Sequence, residues 1–356
     1  MSKKGYVVIE NGPLFPGLWE GGENRAGEVV FNTSHFGYEE MATDPSYMNQ
    51  ILVTTAPMQG NYGISDEVWE SERLWINGFI CLEAQSSQRD RSWRERLQEN
   101  NVPLLTEVDT RKLVLYLRDQ GTPWGAVVQA DSDEEARKVA QSLIEKVKQE
   151  DRDWVFQVTC RTPYEVEGDH PAGPRVAVLD LGSKKNIVRE LKKRCRGLKV
   201  FPSRTTAQEI RSWEPDGILL SNGPGDPADV EVAAETVREL LGYRPIFGIC
   251  MGHHILSLAL GGKTYKLRFG HRGSNHPVDD RLLDRIYVTS QNHGYAVEQS
   301  SLPNDVKITH TNLNDQTVSG IMLEDKKCFS VQFHPESHPG PHDAEGLFDY
   351  FVKLIQ

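Results

Sequence analysis

Phe247-Gly248-Ile249-Cys250-Met251-Gly252-His253 is the stretch on which the fold of this chain turns. Pro245-Ile246-Phe247-Gly248-Ile249 reads as a short buried strand, and Met251 to Leu260 reads as a helix that starts at once. Cys250 therefore stands where a strand turns into a helix, with a glycine two residues away on each side. Such an elbow forces the nucleophile's backbone into a strained region, and the turn needs small neighbours. The geometry lifts the sulfur out of the sheet and sets it at a helix N-terminus, a place that favours thiolate over thiol. A buried cysteine at a glycine-rich strand end would look the same locally, so the motif needs partners.

Working outward, strands and helices alternate. Arg175-Val176-Ala177-Val178-Leu179-Asp180 is a short apolar run of the kind buried in a parallel sheet. A helix over 185–194, a strand over 198–201, a helix over 207–213, a strand over 216–221 and a helix over 229–241 lead up to the elbow. This rhythm predicts a doubly wound α/β domain over 175–356, with chemistry at the carboxyl ends of its strands. Upstream, Glu165-Val166-Glu167-Gly168-Asp169-His170-Pro171-Ala172-Gly173-Pro174 is polar and rich in glycine and proline, and 151–174 reads as a linker.

Residues 1–150 read as a separate α/β domain with a β-rich start. Strands are expected over 5–10 and 27–32, with Asn11-Gly12-Pro13 and Pro16-Gly17 as turns between them. A helix over 109–121 is capped by Asp109 or Thr110 and stopped by Gly121. Another over 132–150 opens on Ser132 and Glu135 as a capping box, with Ala136, Val139, Ala140, Leu143, Ile144 and Val147 on one face.

Composition narrows the class. The chain has 356 residues, 38% hydrophobic and 26% charged, the balance of a globular protein with a real core. No run approaches the ~20 apolar residues that span a bilayer, and the first residues have too short an apolar stretch for a signal peptide, so a cytoplasmic protein without a membrane partner is expected. A net charge of −11 argues against nucleic acid as a partner. The five cysteines, with no CxxC pair, suit neither a disulfide framework nor a cysteine zinc site, and no metal site is expected.

Two further motifs supply what a cysteine nucleophile needs. In Ser330-Val331-Gln332-Phe333-His334-Pro335-Glu336, an apolar strand ends in a histidine and a glutamate two apart. The intervening proline bars a regular helix or central strand, so both side chains can leave the sheet together. His334 would take and return a proton, and Glu336 would fix its tautomer; a surface His-Pro turn is the bland alternative. Ser221-Asn222-Gly223-Pro224-Gly225-Asp226-Pro227 follows another buried strand. Its N–H groups suit an oxyanion hole or a carboxylate, although a plain turn would have the same composition. It lacks the GK[ST] ending of a phosphate loop. Nucleophile, acid–base pair and anion loop at strand ends of one domain follow acyl-transfer logic.

These pieces resemble the class I (triad) glutamine amidotransferases. The resemblance narrows to carbamoyl phosphate synthetase small subunits on Gly27-Glu28-Val29-Val30-Phe31-Asn32-Thr33-Ser34, Thr43-Asp44-Pro45-Ser46-Tyr47, Val108-Asp109-Thr110-Arg111-Lys112-Leu113, Gly270 to Pro277, Gln291-Asn292-His293-Gly294-Tyr295 and Ser337 to Asp343. It runs nearly end to end. It implies a catalytic triad of Cys250, His334 and Glu336 that converts L-glutamine through a thioester to glutamate and ammonia. It also implies oxyanion donors at Gly223 and Met251, and glutamine held by Ser34, Gly223, Gly225, Met251, His254, Asn292, Gly294 and Tyr295 at a site between the two domains. Ammonia would pass through a tunnel to a large subunit that makes carbamoyl phosphate from bicarbonate and ATP for arginine and pyrimidine synthesis. This chain would need no cofactor, ATP and Mg belonging to the large subunit of a heterodimer.

One position departs from the family pattern: His254 stands where a glutamine is usual. It is similar in size and hydrogen-bonds, and it could also titrate near neutral pH. Other readings remain open: a glutaminase serving another synthase such as anthranilate or GMP synthesis, a non-catalytic scaffold subunit, or an α/β cysteine hydrolase. The residues of the first domain speak against the first and last, and an intact triad against the second.

Overall fold

The computed structural model describes residues 3–87 and 92–356. They form two compact units: Met1–Asp151 with Arg268–Arg272, and Arg152–Leu267 with Gly273–Gln356.

The first unit carries β1 (Lys3–Ile9), β2 (Leu14–Gly21), β3 (Arg25–Asn32), β4 (Gln50–Thr54), β5 (Met58–Gln59), β6 (Gly78–Ile80), β7 (Glu83–Ala84), β8 (Leu104–Thr106) and β9 (Trp124–Gln129). Seven of these close a barrel in the order β1-β2-β8-β6-β4-β3-β9, with β5 and β7 as a separate pair. Its helices are α1 (Tyr38–Thr43), α2 (Trp93–Glu99), α3 (Thr110–Gln120) and α4 (Asp133–Lys148). Strand alternation sorts β1 into two faces. Val7 and Ile9 pack with Leu113 and Leu117 of α3, while Tyr6 and Val8 pack with Ala136, Ala140 and Ile144 of α4. Asp109 caps α3, accepting from the Lys112 N–H at 2.9 Å.

Two local expectations differ. Pro16-Gly17 is no turn but lies inside β2, paired with Tyr6 and Gly5. The missing proline donor is tolerated because β8 joins β2 only from Leu18 onward, which leaves Pro16 with one neighbouring strand. The expected capping box of α4 is half made. The Ser132 hydroxyl accepts from the Glu135 N–H, but the Glu135 carboxylate reaches the Asp131 N–H instead of that of Ser132.

The second unit starts earlier than expected. Residues 151–174 carry α5 (Trp154–Val158) and β10 (Tyr164–Glu167) rather than a bare linker. Then follow β11 (Arg175–Asp180), α6 (Lys185–Lys192), β12 (Gly197–Pro202), α7 (Ala207–Ser212), β13 (Gly217–Leu220), α8 (Glu231–Leu240), β14 (Ile246–Ile249) and α9 (Met251–Ala259). The remainder comprises β15 (Thr264–Asp280), whose middle, Arg268–Arg272, groups with the first unit, β16 (Arg285–Val297), β17 (Lys307–Asn312), β18 (Val318–Leu323), β19 (Cys328–Val331) and α10 (Gly346–Ile355). All ten strands join one sheet, β10-β12-β11-β13-β14-β19-β18-β16-β15-β17. β10 is the antiparallel edge on β12, so its polar, glycine-flanked sequence is that of an edge strand.

The middle five strands, β12-β11-β13-β14-β19, are parallel. Both faces are covered. Ala177, Leu179, Ile218, Leu220 and Ile246 point to the core shared with α7, α8 and α9. Val176, Val178, Leu219, Phe247 and Phe329 point to the core shared with α6 and α10. This double burial explains the uninterrupted apolar runs. Phe247 and Phe329 stack at 4.4 Å between centroids, tying β14 to β19. Such a pair contributes about 0.5–1.5 kcal/mol beyond its buried area. Among the described residues, no helix is long and apolar enough to cross a membrane.

Candidate active site

Parallel strands all point their carboxyl ends the same way, so the loops after β11, β13, β14 and β19 emerge at one edge of the sheet. They carry, in turn, Lys184, the Asn222-Gly223 loop, Cys250 and the His334–Glu336 turn.

Cys250 is the N-cap of α9, at φ 53° and ψ −101°. A non-glycine residue there is strained, and the surroundings hold it in place. Its N–H donates to Val331 O of β19 at 2.9 Å, while the Gly252 N–H donates to Ser221 O at 2.9 Å. The flanking glycines are required by approach. A Cβ on Gly252 would lie 2.3 Å from the Leu220 carbonyl oxygen, and one on Gly248 would lie 2.5 Å from that of Gly252. Backbone atoms cannot swing aside, so nothing larger fits. The sulfur is buried, 3.7 Å from the Asn292 carbonyl oxygen.

His334 is placed by its N–H to Ser290 O on β16, 2.9 Å, in an isolated bridge. Its Nδ1 lies 2.7 Å from Oε1 of Glu336. Nε2, the other ring nitrogen, completes no hydrogen bond among the described residues, and the Cys250 sulfur is near enough to act on the ring. Burial opposes a charged imidazole, but the Glu336 carboxylate and then Cys250 outweigh it and push the pKa up to about 10. Burial likewise opposes the charged form of Glu336. Here the Lys184 ammonium and then His334 win, holding the carboxyl down at about 2. Both groups are thus charged at neutral pH.

Lys184 is the residue that sequence reasoning missed. Its Nζ lies 3.0 Å from Glu336 Oε1, with both side chains almost fully enclosed, and it also donates to the Ser337 carbonyl. A lysine next to a second lysine after a strand carries no local signal of burial. Only the arrival of β19 beside it reveals the ion pair.

The remaining expected residues fall as follows. Gly223 lies in the loop after β13 and Met251 opens α9, segments joined by the Gly252–Ser221 bond, and among the described residues neither N–H meets a backbone acceptor. Gly225 takes φ 91° in the same loop as Gly223. Asn292, Gly294 and Tyr295 lie on β16, where Nδ1 of His293 is 2.6 Å from the Tyr295 carbonyl oxygen. Ser34 belongs to the first unit, where its N–H donates to Asn32 Oδ1 at 2.7 Å.

His254 sits one turn along α9 from Cys250, buried, with neither ring nitrogen hydrogen-bonded among the described residues. The expectation of titration near neutral pH is not met, because burial pushes its pKa down to about 3. The ring is neutral, one nitrogen a donor and the other an acceptor. Replacing it with the family's usual residue, His254→Gln, is expected to change the glutamine KM by less than about threefold, since one hydrogen-bonding group replaces another. The ratio of the two KM values should stay constant from about pH 6 to about pH 8, and a ratio that drifts across that window would show a titrating histidine.

Among known proteins, a family model described as "Carbamoyl-phosphate synthase small chain, CPSase domain" matches residues 7–127, and one described as "Glutamine amidotransferase class-I" matches residues 177–354. The carbamoyl phosphate synthase small chain of Methanopyrus kandleri is 44% identical over 360 residues, covering 98% of each chain. That of Chlorobaculum tepidum is 45% identical over 359 residues, 98% of this chain and 97% of the other. The carbamoyl phosphate synthase pyrimidine-specific small chain of Halalkalibacterium halodurans is 44% identical over 359 residues, 99% of this chain and 97% of the other.

Proposed function

This chain belongs to the carbamoyl-phosphate synthase small chain family and is its glutamine-hydrolysing subunit, and we propose that Cys250, His334 and Glu336 perform the hydrolysis. The observation that carries the assignment is the buried cysteine at a strained helix start, with an imidazole held by a carboxylate beside it.

In this scheme His334 holds the proton of Cys250, the thiolate sulfur attacks the carboxamide carbon of glutamine, and the oxyanion that forms is met by the N–H groups of Gly223 and Met251. The C–N bond breaks as His334, which holds its proton firmly, gives it to the departing nitrogen. Ammonia leaves and a γ-glutamyl thioester remains. Water then attacks the thioester, His334 takes the water proton, the C–S bond breaks, and glutamate is released with the thiolate–imidazolium pair restored. Glu336 keeps the ring oriented and compensates its charge. Gly225, His254, Asn292, Gly294 and Tyr295 are assigned to glutamine.

The partner is the large synthetase subunit. In this proposal ammonia reaches it through an internal tunnel, and ATP, Mg and bicarbonate are handled there, so this chain needs no cofactor. A cytoplasmic setting belongs to the same proposal. The test is glutamine hydrolysis by the chain with and without the large subunit. Glutamate should form in both cases, and carbamoyl phosphate only in the complex with ATP and bicarbonate. A chain that forms no glutamate in either setting would refute the assignment.

A further inference from the structure

The start of α6 holds the loop after β13 and the acid–base turn together. The Lys184 N–H donates to Asn222 Oδ1 at 3.0 Å, and the Asn186 side-chain amide donates to the Glu336 carbonyl at 2.5 Å. Asn222 and Asn186 are both buried. Asn222 directly precedes Gly223, the assigned oxyanion donor, and Glu336 orients His334. The turn that Asn186 grips also needs an outside hold, because Ser337 and His338 both sit in the left-handed region at φ 63° and 54°. Lys184 spans the gap between the two asparagines, with its backbone on Asn222 and its ammonium on Glu336.

We propose that Asn222 and Asn186 are positioning residues that form the two ends of one clamp, setting the oxyanion loop in register with the His334–Glu336 pair. The proposal rests on the function assigned above. Neither asparagine is assigned to the substrate; both act through neighbours. Oxyanion donors and a general acid act on the same transition state, so a small relative displacement lowers turnover and leaves ground-state binding nearly intact.

The test compares Asn222→Ala, Asn186→Ala and the double variant, each in complex with the large subunit. Thermal melts are run beside the kinetics, with assays kept below the melting onset of the weakest variant. Each single variant should lose on the order of 10- to 100-fold in kcat, with the glutamine KM within about threefold of wild type. The double variant should lose little more than the worse single one, because one coupling is broken in each case. In Asn186→Ala the alkaline limb of the pH–rate profile should move to lower pH, since a looser Glu336 supports the His334 proton less. Asn222→Asp, which keeps the acceptor facing the Lys184 N–H, should regain most of the kcat lost in Asn222→Ala. Wild-type kcat in both single variants, or losses that multiply in the double variant, would overturn the clamp. A Cys250→Ala control separates the two levels: if it still hydrolyses glutamine, the assigned function fails, whereas an inactive control with fully active asparagine variants removes only the clamp.

Discussion

Cys250→Ser is expected to lower kcat for glutamine hydrolysis by roughly 10⁴-fold or more, in the range seen when a single nucleophile is removed from a triad. The substitution changes one atom, so the cost is chemical rather than steric. A hydroxyl at this position is a far weaker nucleophile than a thiolate, and an imidazole already charged by Glu336 is a poor base to activate it. Folding should be preserved, because the backbone bonds from Cys250 to Val331 and from Gly252 to Ser221 do not involve the side chain. Glutamine should still bind, since none of its assigned ligands is altered. Steady-state kinetics together with equilibrium glutamine binding check both halves; a serine variant with more than about a tenth of wild-type kcat would be incompatible with the role given to the sulfur.

Lys184→Met is expected to produce the second large effect, on stability and on pH dependence together. The lysine faces a fully buried carboxylate, and removing one partner of a buried ion pair costs about 3–5 kcal/mol because the other charge is left uncompensated. The sign of the pH effect follows from the causes at Glu336. Lys184 is the largest influence that lowers its pKa to about 2, against burial, which raises it. Without the ammonium, burial gains ground and the carboxyl titrates at a higher pH. In the wild type, the stability contributed by the ionised carboxylate is present above its unfolded value of about 4.3 and is lost as pH falls toward about 2. In the variant that loss starts at higher pH, and the acid limb of kcat moves up with it, because a neutral Glu336 no longer supports the His334 proton. Thermal melts and pH–rate profiles measured side by side read both. An unchanged acid limb would mean that Lys184 does not govern Glu336.

The parts of the fold legible in the sequence are those whose signal is local. The apolar runs ending at Asp180, Leu220 and Ile249 are strands buried on both faces, and the helix caps at Asp109 and Ser132 use their own side chains, so a short window contains the cause. The barrel of the first unit is different. Its closure depends on β1 pairing with β9 across more than a hundred residues of chain, which no local pattern encodes. Pro16-Gly17 reads as a turn because its composition is that of a turn, and only the absence of a second neighbouring strand lets it sit in β2. The long antiparallel strands β15 and β16 also go unpredicted; β15 mixes exposed and half-buried positions without the clean alternation that marks a one-faced strand.

The site divides in the same way. Cys250 is visible because the strained turn demands glycines at 248 and 252, and His334 and Glu336 because a proline separates them at a strand end. Lys184, Asn186 and Asn222 are polar residues at a helix start and in a loop, where nothing local marks them as buried. The importance of Lys184 and Asn186 comes from burial against the turn after β19, a contact between segments about 150 residues apart, and that of Asn222 from its bond to the Lys184 N–H, 38 residues away.

The central claim is a covalent bond between glutamine and one sulfur. The most direct measurement is rapid acid quenching of the chain during glutamine turnover, followed by proteolysis and mass spectrometry of the peptide that contains Cys250. The account predicts a γ-glutamyl group on Cys250, formed with glutamine and absent with glutamate. Rapid turnover with no adduct on that peptide, or an adduct on another residue, would contradict it.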